Sequence, residues 1–124
     1  MTFHSPGEVV RLTGFSLDTL RYYEKIGLLH DVDRTPGGRR RFSDDDINLL
    51  RMLRCLRESG MPIAQMRRYV ELLRAGEDRR EERLAVLREH DRRVEERIDE
   101  LRGHQRIIRH KIEHYVRAGE PAHA

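Results

Sequence analysis

The sequence predicts a mainly α-helical chain: a helix-turn-helix with a small hairpin wing, a helical hairpin, and one long C-terminal helix. Three observations carry that prediction. Serine residues ahead of apolar periodicity mark helix starts at Ser5, Ser16 and Ser43. Turn chemistry, Thr35-Pro36-Gly37-Gly38, separates two short strand candidates. From about Glu77 to Arg117 there is no proline, and the apolar residues recur in a heptad. These signals place a winged head at residues 1–76, a coiled-coil helix at 77–118 and a tail at 119–124.

Taken in order, Ser5-Pro6-Gly7-Glu8 reads as a capping box with proline at the first helical position. That helix runs to about Thr13, with Val9, Val10 and Leu12 as its apolar surface, and Gly14 breaks it. After a very short connection Ser16 caps a second helix, and Asp18 sits in its first turn. Leu17, Leu20 and Ile26 fall at core-facing positions, and Gly27 ends the helix. The remaining face carries Thr19, Arg21, Tyr22, Tyr23 and Lys25. Such a face is either a solvated surface or a recognition helix in a DNA groove, with Arg21 and the tyrosines on phosphates or bases.

The flanking hairpin favours the second reading. Val32–Arg34 and Arg40–Phe42 are its strand candidates, and Arg39, Arg40 and Arg41 stand side by side. A wing tip so charged suits a clamp on DNA phosphates beside the recognition helix. The candidate contact set is therefore Ser16, Thr19, Arg21, Tyr22, Tyr23 and Lys25 on the helix, with Arg34, Gly38, Arg39, Arg40 and Arg41 on the wing.

Ser43-Asp44-Asp45-Asp46 caps a third helix to about Ser59, with Ile47, Leu49, Leu50, Met52, Leu53 and Leu56 as core candidates. Gly60-Met61 joins it to a fourth, opened by Pro62 and carrying Ile63, Met66, Tyr69, Val70, Leu72 and Leu73 up to Gly76. The long helix follows. Its seam is Leu84, Leu87, Asp91, Val94, Ile98, Leu101, Gln105, Ile108, Ile112 and Tyr115, in alternating steps of three and four. About 40 helical residues span roughly 60 Å. One narrow apolar stripe of that length cannot be buried within a monomer, so it predicts a partner helix. Asp91 and Gln105 weaken such a seam but fix its register. The tail from Ala118 to Ala124 is expected to fray.

Composition bounds the rest. The 124 residues are 37% hydrophobic and 38% charged, too charged for one globule with a large core. Net charge is only +3, so local arginine clustering carries the nucleic-acid argument rather than bulk charge. One cysteine allows no internal disulfide, which fits a cytoplasmic setting. No signal peptide or membrane-spanning stretch is visible. No nucleophile triad, phosphate-cradling glycine loop or catalytic carboxylate pair stands out, so no enzyme and no cofactor are expected. The competing class is a coiled-coil interaction module whose winged helix binds protein.

Three motifs resemble the MerR family of bacterial transcription regulators: Leu20-Arg21-Tyr22-Tyr23-Glu24 with Gly27-Leu28, Gly38 to Phe42, and Glu58-Ser59-Gly60-Met61-Pro62-Ile63. The resemblance covers nearly the whole chain. It implies a homodimer whose terminal helices pair antiparallel, with both heads on a two-fold-related operator in double-stranded promoter DNA. It implies that Arg21, Tyr22 and Tyr23 work in the groove and on phosphates, and Arg40 in the wing. It further implies activation by bending and untwisting the promoter, so that RNA polymerase is engaged indirectly. One departure is Arg39, where the family usually has an aromatic residue.

Two sensing expectations attach to that resemblance. Cys55 sits next to Arg54 and near Arg51 and Arg57, which could activate its thiol, as in the aldehyde- and nitrosative-stress branch. The other reading of Cys55 is a small buried hydrophobe. His110 and His114 share a helical face, with His90 and His104 on the same helix, but two ligands are too few for a tight metal site. No metal is expected.

Overall fold

The computed structural model describes residues 2–30 and 32–119. The elements run β1 (Phe3–His4), α1 (Pro6–Thr13), α2 (Leu17–Lys25), β2 (Asp33–Arg34), β3 (Arg40–Ser43), α3 (Asp44–Glu58), α4 (Ile63–Ala75), a 3-10 turn over Glu77–Arg79, and α5 (Arg80–Gly119). The chain is thus mainly α, a winged helix-turn-helix with a helical hairpin and a long terminal helix. It divides into two compact units, one ending at Val86 and the other beginning at Leu87. The first unit therefore takes in the opening turns of α5, whereas the sequence placed the boundary at residue 76. Helix α5 extends through Ala118 and Gly119, where the sequence set the start of the tail; residues 120–124 lie outside the described residues.

The caps form as their sequences dictate. Ser5 Oγ accepts from the Glu8 amide, and the Glu8 carboxylate accepts from the Ser5 amide. Ser43 and Asp46 repeat that exchange at the start of α3, where three aspartates meet the positive end of the helix. Gly14 closes α1 in the left-handed region, φ 78°.

The core of the first unit gathers around α3. Its Ile47, Leu50, Leu53 and Leu56 are buried, while Leu49 and Met52 are only partly covered. Helix α3 packs against α1, β3 and α4, which supply Val9, Phe42, Met66 and Val70. On α1 and α4, three expected core residues are instead exposed by more than two-fifths: Leu12, Ile63 and Leu73. Each lies on the outward edge of a short helix that has one packed side.

The sheet has three strands in the order β1-β3-β2, all antiparallel, with Phe3 opposite Ser43 and Asp33 opposite Arg41. The first strand is absent from the sequence reading. His4 fastens it: its Nε2 lies 2.8 Å from Asp44 Oδ1, and its Nδ1 lies 3.6 Å from Glu8. The Asp44 bond, with help from Glu8, raises the His4 pKa above 6.5. A pKa raised on folding contributes stability that is fully present below the unfolded value and is lost as pH rises through the folded one. Unfolding titrations should therefore show the head losing stability from about pH 6.5 upward, with that slope gone in His4→Gln. The Glu8 carboxyl is held low by its Ser5 bonds and acts in the opposite direction, on the acid side of 4.5.

The opening of α5 is tied down by charge. Arg83 is nearly enclosed and donates to the carbonyls of Leu72 and Gly76 at 3.1 and 2.8 Å, satisfying the carboxyl end of α4. Arg68 and Arg79 both reach Glu82. In the second unit, Ile98, Leu101, Ile108, Ile112 and Tyr115 of α5 stand 36–65% exposed. Ile107 and Val116, outside the expected seam, are exposed as well.

Candidate nucleic-acid interface

Helix α2 presents Arg21, Tyr22 and Lys25 outward, with Tyr22 51% exposed. Arg21 faces Asp18 at 3.7 Å, a loose contact between two exposed groups that a phosphate would outcompete. Ser16 and Thr19 are occupied by the cap. Ser16 Oγ accepts from the Thr19 amide at 3.1 Å and donates to the Thr19 hydroxyl at 3.0 Å. Their position at the amino end of α2 still brings any approaching phosphate to free amides.

Tyr23 departs from expectation. It is 2% exposed, with its ring edge-on to Phe15 at 5.2 Å. Leu17, expected in the core, is 44% exposed instead. On a nine-residue helix these two exchange places because the buried stripe runs Leu20–Tyr23, against Phe15, and then into Leu28 and Leu29. The Tyr23 hydroxyl is buried and has no hydrogen-bond partner among the described residues. Tyr23→Phe should therefore keep operator affinity within about twofold and raise stability by up to about 1 kcal/mol, since an unbonded buried hydroxyl is a cost. Melting and binding curves of the variant check both.

The wing arginines divide into two kinds. Arg40 Nε donates to Glu24 Oε2 of α2 at 2.7 Å, and Arg34 lies 3.7 Å from the other oxygen of that carboxylate. Arg41 pairs with Asp33 across the hairpin at 2.7 Å and stacks on Phe3, 4.3 Å from the ring centre. The Arg34 amide and then the Arg41 guanidinium hold the Asp33 carboxyl below its ordinary range. Arg39 alone of the three is exposed with no ion pair for its guanidinium among the described residues. Its amide bonds to Thr35 Oγ1, and the tip is closed by Gly38, φ 85°, whose amide reaches the Thr35 carbonyl at 2.9 Å. Within the expected clamp, Arg40 and Arg41 are held by carboxylates of the head, and Arg39 projects from the tip with no such pair among the described residues. Glu24 was missed in the sequence. An acid set between Arg21 and Lys25, on a helix followed by an arginine-rich hairpin, was the available signal.

Cys55 is exposed, so it is not the buried hydrophobe of the alternative reading. Its neighbours are engaged elsewhere. Arg54 donates to the Thr13 carbonyl at 2.6 Å and to Glu58 at 2.7 Å, and Arg57 lies over the Phe15 ring. On α5, His90 is buried while His104, His110 and His114 are exposed. No group of three or more metal-capable side chains gathers among the described residues. No described helix is long and apolar enough to cross a membrane.

Comparison with known proteins places this architecture. Residues 5–73 match the MerR HTH family of regulatory proteins. An uncharacterized HTH-type transcriptional regulator from Haemophilus influenzae is 44% identical over 73 residues, 59% of this chain and 54% of that protein. The HTH-type transcriptional regulator AdhR of Bacillus subtilis is 32% identical over 80 residues, 64% of this chain and 57% of its own length. The chain thus spans about half the length of the curated relatives it matches. Among solved structures, HiNmlR, a MerR family regulator lacking the sensor domain and bound to promoter DNA, superposes with a TM-score of 0.86 at 32% identity, covering 98% of this chain and 96% of that one. A MerR-type protein from Listeria monocytogenes gives 0.89 at 31% identity, covering 96% and 90%. With its family match extending over more than half its length and its winged head and long helix shared with these structures, the chain belongs to the MerR family of helix-turn-helix regulatory proteins.

Proposed function

We propose that two copies of the chain pair through α5, bind a two-fold-related promoter operator, and control transcription by distorting that DNA. RNA polymerase is then affected indirectly, through promoter geometry, in the cytoplasm where promoters lie. The observation that carries this reading is the set of exposed cations on the head. Arg21 and Lys25 of α2 and Arg39 of the wing tip are all exposed within one compact unit. The DNA-bound state of HiNmlR supports the same use of the shared fold.

The seam supports pairing. Ile98, Leu101, Ile108, Ile112 and Tyr115 are about half exposed on one chain. Covering each contributes about 1 kcal/mol, half the full burial value. Parallel pairing in register would set Asp91 against its own copy, whereas antiparallel pairing separates the two carboxylates.

Salt titration of operator binding tests the proposal. About three exposed cations per head, in two heads, predict a log–log slope near −5. A slope near zero would instead favour a winged helix that binds protein. Cys55 adds a separable proposal, an exposed thiol open to electrophiles. Loss of inducer response in Cys55→Ser with operator affinity retained supports it, and an unchanged response removes it.

A further inference from the structure

We propose that Glu24 is a positioning residue that latches the wing to the recognition helix and so aims Arg39 at the DNA. The proposal rests on the DNA-binding reading for its function, though the latch itself is a property of the free protein.

The latch follows from a conflict inside the wing. Arg34 and Arg40 are direct cross-strand partners. Two like charges in that position repel and would open the hairpin. The Glu24 carboxylate, from α2, takes Arg40 on one oxygen at 2.7 Å and faces Arg34 with the other at 3.7 Å. It thus neutralises the pair and ties both strands to the helix at once. Glu24 and Arg40 are only 27% and 32% exposed, so their contact is shielded from solvent more than an ordinary surface pair.

Arg34 carries the constraint to the tip. It donates to the Gly38 carbonyl at 3.1 Å, one residue before Arg39. Helix, strand pair and tip therefore form one connected series, and Arg39, with no ion pair among the described residues, stands at its end. The remaining wing charges are settled separately, by Arg41 with Asp33. Of the four wing arginines, three hold the shape and one is left to meet a phosphate.

The sign of one substitution separates latching from bulk electrostatics. Glu24→Gln removes a negative charge from a DNA-facing head, which by charge alone tightens binding to any duplex. A lost latch does the reverse for the operator only. The parent chain is first used to select duplexes from a random pool. Glu24→Gln should then bind the selected duplex about tenfold more weakly, with scrambled duplex bound equally or more tightly. Hydrogen exchange on the free protein provides an arm without DNA. The tip amides of Thr35 and Gly38 should exchange faster in Glu24→Gln, with α3 amides unchanged. Selected-duplex binding as tight as the parent's, or parental exchange rates at the tip, would overturn the latch. Failure of the parent to select any duplex would overturn the DNA-binding reading, and the exchange arm would still decide the latch.

Discussion

Leu101→Asp is expected to leave the head folded and to weaken operator binding by about a hundredfold or more, because one duplex would no longer be held by two linked heads. Leu101 is 49% exposed on a single chain and sits mid-seam, between Ile98 and Ile108. The seam already carries Asp91 and Gln105. A further carboxylate at its centre would meet apolar side chains or another acid, and a buried unpaired charge costs more than a half-covered leucine contributes. A lone helix with so narrow an apolar stripe is marginal in water, so circular dichroism should also show partial loss of helix. Sedimentation velocity provides the direct readout: parent as dimer, variant as monomer. A variant that remains dimeric and binds operator normally would remove α5 from the account.

Leu50→Ala is expected to cost about 3 kcal/mol and lower the thermal midpoint by about 10–20 °C. Leu50 is fully buried in the middle of α3, the helix on which α1, β3 and α4 all pack. Truncation there leaves a cavity that three different elements would have to move to fill. Leu49, one residue away and only partly covered, is the control; Leu49→Ala should cost less than about 1.5 kcal/mol. Below its new midpoint, Leu50→Ala should still bind operator, since none of the exposed cations is altered. Equal losses at the two positions would mean that the burial pattern of α3 is misplaced.

The legible parts of the fold were those fixed by neighbours in sequence. Ser5 with Glu8, Ser16 with the Thr19 amide, and Ser43 with Asp46 declare helix starts through interactions within one turn, and all three helices begin there. The Pro36-Gly37-Gly38 turn declared the wing in the same way. What escaped depends on distant partners. The strand Phe3–His4 is only two residues long and exists through pairing with β3 some forty positions away. On α2, a short helix can turn either of two adjacent stripes inward. Phe15 decided in favour of Tyr23 over Leu17. Arg39, Arg40 and Arg41 look equivalent in a row. Their different roles arise from Glu24, sixteen residues before Arg40, and from Asp33 across the hairpin. The departure at Arg39, an arginine where the resemblance leads one to expect an aromatic, thus falls on a residue with no ion pair among the described residues.

Sedimentation of the 124-residue chain with a duplex carrying two related half-sites, against one carrying a single half-site, probes the whole arrangement at once. Two chains on the paired duplex, with binding to the single half-site weaker by at least about a hundredfold, is the predicted result. One chain per duplex, or equal affinity for both duplexes, would contradict it.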